Sequence, residues 1–321
     1  MPAAISFLQK LFRLPAALGL GAVLLAAGPL AAAPKIGVLL KGDTPFWHAV
    51  EAGCRSAARA GGADLVVLMP PHETDNLIQI QLLRRIAAEG IQGLVIAPCG
   101  PDLSDPVAAV AATGVKIVVI DSPLDVDMPA YIATNHTNAG MAAGRLLAGL
   151  VGDRDEVSLL RPSRTNGATL LRDSSAYSAL CAVHPGIVVH RDIFIGADGE
   201  LPKARFLLQR YPHTAAILAT NTPGSMAMMQ ALKETGRAGR IKFVGFGFDL
   251  NADVATAIDN GTMSGWIAQL PHDIGTRGVN AMLALLQHQP VQEVIYCNFL
   301  VITKSNLHDP GVQALLPTPA H

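Results

Sequence analysis

Gly90–Asp121 reads GIQGLVIAPCGPDLSDPVAAVAATGVKIVVID, and its pattern decides the fold. Gly93–Ala97 and Lys116–Ile120 are apolar without alternation. A strand covered on one face alternates apolar with polar, whereas a strand covered on both faces does not. Between the two runs lie turn-forming Cys99-Gly-Pro-Asp102 and then a longer stretch of helical character. Strand, helix and strand in that order form a right-handed crossover in a parallel sheet.

The unit recurs in both directions along the chain. Further apolar runs are Lys35–Leu40, Asp64–Leu68, Tyr131–Thr134, Val157–Leu160, Ile187–Ile193, Ala215–Ala219, Lys242–Phe246 and Ser264–Gln269. Between them the period is helical. Ile78, Leu82, Leu83 and Ile86 share a stripe, with Gln79, Arg84, Arg85 and Glu89 off it. Thr137–Val151, Leu201–Tyr211, Pro223–Glu234 and Asp273–Gln287 behave similarly. About ten strands exceed one comfortable sheet at this length. The expected fold class is therefore α/β, with two doubly wound Rossmann-like lobes joined by a multi-strand hinge and a seam near Asn135. The lobes are expected at 34–135 plus 270–296 and at 136–269 plus 297–306, with a tail at 307–321.

Residues 1–33 read as an address. Lys10 and Arg13 precede an apolar stretch, Leu14–Leu30, and Ala31-Ala32-Ala33 follows before Pro34. This is the order of a secretory signal peptide, cleaved after Ala32 or Ala33; an uncleaved membrane anchor is the alternative. Its removal leaves 22 basic and 25 acidic residues, a net charge of −3. That balance gives no basic excess to neutralise phosphates, so nucleic acid is not an expected partner. The expected product is periplasmic and monomeric. Half of the 321 residues are hydrophobic, which excludes a disordered chain. Cys54, Cys99, Cys181 and Cys297 are too widely spaced for a metal or redox motif and read as small core residues, with a bridge left open.

In open α/β sheets, ligands bind beyond the carboxyl ends of the strands. The residues there are Thr44–Trp47, Pro98–Asp102, Asp121–Ser122, Asn135–His136, Arg161–Arg172, Asn221, Gly247–Asp249 and Gln269. They are rich in aromatic and hydrogen-bonding groups, which suits a sugar: flat apolar ring faces and a belt of hydroxyls. Phe46 and Trp47 are candidate plates; either Phe46 packs under the first helix or it faces ligand. Trp266 reads as core. Asp249 either contacts ligand or caps the helix starting near Asn251, and Asn135-His136 reads as a hinge or helix cap. Catalytic readings find little support. Gly245-Phe246-Gly247 lacks the remainder of a dinucleotide fingerprint, and no P-loop, nucleophile elbow or HExxH occurs. No cofactor, no metal and no enzymatic activity are expected, the alternative being a secreted hydrolase using Asp43, Asp102, Asp121 or Asp249.

Four segments, in order and at matching spacing, carry a resemblance. They are Lys35–Leu39 with Thr44–Trp47; Gly90–Pro98 leading to Ile117–Asp121; Ala216–Asn221 with Ala227–Leu232; and Val244–Phe246 with Ile267–Gly275. Through them the chain resembles the ribose/galactose-type periplasmic sugar-binding proteins, the type I solute-binding proteins of ABC importers. These share a fold with the ligand-binding core of LacI-type repressors; the first strand follows the leader directly, leaving no room for a DNA-binding headpiece. The resemblance implies capture of a small, sugar-like ligand by hinge closure and delivery to an ABC permease. The alternative is a periplasmic sensor presenting a non-sugar ligand to a membrane histidine kinase or chemoreceptor. Implied ligand contacts are Thr44, Phe46, Trp47, Asp121, Arg172, Asn221, Asp249 and Gln269, with Arg161 and Arg164 as rivals of Arg172. Two departures stand out: Ser122 replaces the arginine of the family's Asp-Arg pair, and Gly247 stands where the family has aspartate.

Overall fold

The computed structural model describes residues 33–193 and 199–314. The leader, apart from Ala33, and the last seven residues lie outside them. The first part runs β1 (Lys35–Leu39), α1 (Pro45–Gly61), β2 (Asp64–Leu68), α2 (Asn76–Ala87), β3 (Gly93–Ile96), α3 (Ser104–Ala111), β4 (Lys116–Ile120) and β5 (Tyr131–Thr134). Next come α4 (His136–Ala148), β6 (Glu156–Arg161), α5 (Gly167–Val183), β7 (Val188–Ile193), α6 (Glu200–Arg210), β8 (Thr214–Ala219), α7 (Thr222–Glu234), β9 (Lys242–Gly247), α8 (Ala252–Asp259) and β10 (Gly265–Gln269). The chain ends with α9 (Pro271–Leu286), β11 (Val294–Cys297), β12 (Phe299–Ile302) and α10 (Pro310–Gln313).

The strands form two six-stranded sheets, ordered β11-β5-β4-β3-β1-β2 and β12-β10-β9-β8-β6-β7. Every pair in the first is parallel. In the second only β10 and β12 are antiparallel. The chain passes between sheets at Asn135, Leu270 and Asn298. At the first two crossings a helix carries it away from the strand ends. At the third no helix intervenes, so β12 must leave in the direction a helix would take, which sets it antiparallel to β10.

The ten expected strands all form, with ends within two residues of expectation. β11 and β12 were not read as strands. β11 is an edge strand with Val294 and Tyr296 exposed, so the continuous apolar run of an interior strand is missing. The segment expected as a tail packs onto the second lobe: Leu307 and Val312 are buried in its core. The stripe expected on α2 is also rotated. Gln79, Leu83 and Ile86 are buried there, while Ile78 and Leu77 face solvent. Gln79 Nε2 donates to the Leu40 and Ala97 carbonyls at 2.9 and 2.7 Å, and its Oε1 accepts from Cys99 N at 2.7 Å. A buried amide thus satisfies backbone groups freed where β1 and β3 end, a need that apolar periodicity does not register.

Each sheet is covered on both faces by apolar clusters, one pair per lobe. Close helix pairs set the distances. A Cβ on Gly53 of α1 would overlap the His272 carbonyl at the start of α9, and one on Gly140 of α4 would overlap Arg172 and Ser175 of α5. All four cysteines are free thiols; Cys54, Cys99 and Cys297 are buried, in keeping with their reading as core residues.

Candidate functional site

The carboxyl ends of both sheets meet around one cavity of about 320 Å³. Its lining draws on both lobes: Lys41, Thr44, Phe46, Trp47, Glu73 and Asp121 from the first, Asn166, Thr169, Arg172, Asn221, Met226, Phe248, Asp249, Asn251 and Gln269 from the second or the crossings. All eight residues singled out from the sequence line it. Of the three arginines weighed, only Arg172 does; Arg161 instead binds Asp173 at 2.7 Å. Asp43 pairs with His48 and Asp102 accepts from Asn76, both at the exposed surface and neither on the cavity wall.

Thr44–Trp47 is the start of a helix. Thr44 is the N-cap of α1 without a side-chain cap bond, and Pro45 occupies the first turn, where its missing N–H costs nothing. Phe46 and Trp47 therefore point inward from the first helical turn. Trp47 is 1 % exposed and Phe46 8 %, so each belongs to the core and touches the cavity as well. The Trp47 indole N–H donates to Glu73 Oε1 at 2.9 Å. Phe46 meets Trp47 edge-on at 4.9 Å and, across the lobes, Phe248 at 5.7 Å.

At the end of β4, Asp121 adopts a left-handed backbone, φ 63°. Its Oδ2 lies 2.6 Å from Lys41 Nζ, which also donates to Ser122 Oγ at 2.6 Å. Lys41 and Asp121 are both almost fully buried. The cation beside Asp121 is thus supplied from just beyond β1, eighty residues earlier. Burial alone would raise the Asp121 carboxyl, but Lys41, His136 and Arg172 together hold it at about 2. Ser122 Oγ also accepts from Ala168 N at 3.4 Å, a contact between lobes.

His136 and Arg172 form the back of the site. Arg172 donates through Nε and Nη2 to His136 Nδ1 (3.2 and 3.1 Å), through Nη1 to the Thr220 carbonyl (2.8 Å) and through Nη2 to Gln269 Oε1. Guanidinium only donates, so His136 Nδ1 accepts and its Nε2–H donates to the Asp121 carbonyl at 2.7 Å. Burial, then Arg172, lower the imidazole to about 3, against the opposing pull of Asp121. His136 is neutral and bridges Arg172 to the Asp121 carbonyl; of the two roles expected for Asn135-His136, the cap is observed, Asn135 accepting from Asn138 N at the start of α4.

Asn251, not Asp249, caps α8, accepting from Val254 N at 2.9 Å. Asp249 keeps its carboxylate for the cavity, and burial raises it. Its carbonyl accepts from Trp266 Nε1 at 3.0 Å. Trp266 is fully buried, as expected, and lies across β9 so that a Cβ on Gly247 would overlap its ring. Any side chain at 247 is thus excluded by a tryptophan, and the first carboxylate beyond β9 is Asp249. Glu73 is likewise raised by burial, Lys41 and the Trp47 hydrogen bond opposing.

Lys41, Glu73 and Asn251 lie outside the expected strand-end contacts, while His136, Asn166 and Phe248 fall inside those stretches without being expected ligand contacts. Lysine after a strand reads as solvated, and nothing local links it to a carboxylate eighty residues away. Asn166 and Asn251 carried a readable signal, an asparagine one residue before a helix.

Residues 36–290 match the model of the periplasmic binding protein domain. The chain belongs to that family. Among periplasmic binding proteins it is similar to the D-allose-binding periplasmic protein of Escherichia coli K12, with 26 % identity covering 81 % of this chain and 87 % of that one. It is also similar to the ribose import binding protein of Salmonella typhimurium, with 24 % identity covering 78 % and 83 %. Solved periplasmic binding proteins share the fold. An ABC transporter solute-binding protein from Agrobacterium radiobacter in complex with D-arabinose superposes with a TM-score of 0.82 at 24 % identity, covering 89 % of this chain and 99 % of that one. Another, from Agrobacterium vitis with bound α-D-tagatopyranose, gives 0.81 at 24 %, with the same coverage. The two-lobed α/β architecture of this family is the one observed. No helix among the described residues is long and apolar enough to cross a membrane.

Proposed function

We propose that the protein is an exported, monomeric solute-binding protein that closes its lobes on a small sugar and presents the closed form to an ABC importer. The observation that carries this reading is the cavity itself, built from strand ends of both lobes and lined by aromatic edges beside carboxylate, amide and guanidinium groups. Its volume sits at the small end of ligand sites, which suits a monosaccharide. Phe46 and Phe248 meet from opposite lobes, a contact that parting of the lobes would break and closure on a ligand would restore.

In this reading Thr44, Phe46, Trp47, Asp121, Arg172, Asn221, Asp249 and Gln269 contact the ligand, joined by Lys41, Glu73 and Asn251. The lobes are 34–135 plus 270–297 and 136–269 plus 299–314, with the third crossing one residue later than expected and the expected tail packed on the second lobe, and cleavage after Ala32 or Ala33 releases the mature chain. The ligand is bound and released unchanged. The allose and ribose specificities named for the relatives support a sugar, and the import role named for the ribose protein supports the importer over a sensor.

The test is a thermal-shift and calorimetric screen of the ligand-stripped mature chain against pentoses, hexoses, polyols and amino acids. At a hundredfold above Kd, a ligand adds about 2.7 kcal/mol of stability, several degrees in midpoint. A monosaccharide hit recovered chemically unchanged supports the proposal. Silence for every sugar overturns it.

A further inference from the structure

The carboxyl end of the second sheet carries another cavity, at the edge formed by β7. Its volume is about 410 Å³, and Arg161, Arg164, Arg191, Asp192, Ile193 and Lys203 line it. Arg161 ends β6, Asp192 and Ile193 end β7, Arg164 lies in the connection from β6 to α5, and Lys203 sits in the first turn of α6. None of these residues lines the cavity between the lobes.

Four cations meet two carboxylates here, and both carboxylates are already engaged. Asp173, on α5 and almost fully buried, gathers two guanidiniums on one oxygen. Its Oδ2 accepts from Arg161 Nη1 at 2.7 Å, from Arg191 Nε at 3.0 Å and from Arg191 Nη2. Asp192 accepts from the Tyr211 hydroxyl at 2.8 Å and from Ile193 N at 3.1 Å, and Lys203 Nζ stands 3.9 Å from it. Arg164 is exposed and pairs with no described residue. Arg161 Nε is buried with no acceptor among the described residues. Positive charge thus exceeds negative by two at one pocket of a mature chain whose net charge is −3.

Like charges held together repel, and a buried guanidinium N–H without an acceptor is unfavourable in its own right. An anion with several acceptor oxygens relieves both. Guanidinium forks match the oxygens of a phosphate, an ammonium adds a point charge, and a phosphate near neutral pH carries close to two negative charges.

We propose that this pocket is a second ligand site, for a phosphate group, taken as inorganic phosphate or as a small phosphomonoester. Asp173 holds the Arg161 and Arg191 guanidiniums in place, and Arg164 and Lys203 supply the charge left over. The site goes beyond the sugar-binding reading and does not rest on it.

The experiment is calorimetric titration of the ligand-stripped mature chain at low ionic strength with inorganic phosphate and, separately, with glycerol 3-phosphate. Saturable binding is expected, and the tighter of the two ligands identifies the source of the phosphate group. The Kd is expected to rise roughly tenfold or more in Arg164→Gln and in Lys203→Gln. It should stay at the wild-type value in Arg85→Gln, which removes the same charge from an exposed position on α2 in the first lobe. A second readout needs no variant: phosphate is expected to slow phenylglyoxal modification of Arg164, followed by mass spectrometry, and to leave Arg85 unaffected. Absence of saturable binding overturns the proposal, as does equal weakening in Arg85→Gln, which would show plain attraction to the nearest positive charge. Modification of Arg164 at the same rate with and without phosphate also overturns it. Sugar affinity, measured in the same variants, is expected to be unchanged.

Discussion

Trp266 occupies the space that a side chain at residue 247 would need. A Cβ on Gly247 overlaps the indole ring, and one on Gly245 comes within 2.8 Å of it. The two residues lie on adjacent strands, and the indole N–H reaches on to the Asp249 carbonyl at 3.0 Å. The ring leaves no room for a side chain at 247, and the first carboxylate beyond β9, Asp249, is the one that lines the cavity.

Gly247→Asp is accordingly expected to destabilise by more than the roughly 1–3 kcal/mol of ordinary overpacking, since a carboxylate is forced against an apolar ring. Adding Trp266→Leu to it is expected to recover part of the loss, because the ring is what obstructs. Urea unfolding of the two single variants and the double variant measures this coupling. Strictly additive effects would show that ring and position 247 do not interact.

Lys41 and Asp121 are a buried pair at 2.6 Å. Removing one member leaves an uncompensated buried charge, a loss of about 3–5 kcal/mol; removing both leaves none. Lys41→Met is therefore expected to be less stable than Lys41→Met with Asp121→Asn. Denaturant midpoints of the ligand-free proteins decide the order.

Acid is expected to unfold the protein, beginning well above the usual carboxylate range. His136 is held at about 3 in the folded state against 6.5 for a free imidazole, mainly by burial and then by Arg172. Below pH 6.5 the unfolded chain takes a proton that the native chain refuses, so stability falls by up to about 1.4 kcal/mol per pH unit as pH drops toward 3. Asp121, held at about 2 against 3.8, adds a loss in the same direction between those values. Glu73, raised by burial, opposes it, because its native form keeps a proton that the unfolded form gives up. His136→Gln is expected to flatten the slope between pH 6.5 and 4, measured as urea midpoint against pH.

Gln269→Ala is expected to weaken sugar binding by roughly tenfold to a hundredfold. It removes an acceptor from the Arg172 guanidinium and cuts the 3.3 Å hydrogen bond from Thr134 that links the two crossings. Calorimetry on the variant, with the melting point of the ligand-free protein as control, separates lost affinity from lost fold.

In the native protein a thiol reagent is expected to label Cys181 alone within minutes. Cys54, Cys99 and Cys297 are buried, and burial pushes each thiol up to about 12, where little reactive thiolate exists. Four thiols should titrate after denaturation without reductant.

The sequence by itself determined the architecture. Unbroken apolar runs such as Lys116–Ile120 declare strands covered on both faces, and that condition forces helices onto both sides and the strand ends into the ligand-facing rim. It marked the strand-end stretches, and the family resemblance picked the eight residues from them, each at or just beyond a strand end or in the helix that follows. What it did not contain was any contact between distant ends. Lys41 and Gln79 look like solvent-facing residues locally, yet Lys41 neutralises Asp121 and Gln79 satisfies the ends of β1 and β3. Tertiary structure alone decided the chemistry of the cavity: which carboxylate is paired and which imidazole is neutral. Local pattern reports the burial of apolar surface, which is additive along the chain. The pairing of charges and hydrogen bonds depends on distances between strand ends that only the folded sheets bring together.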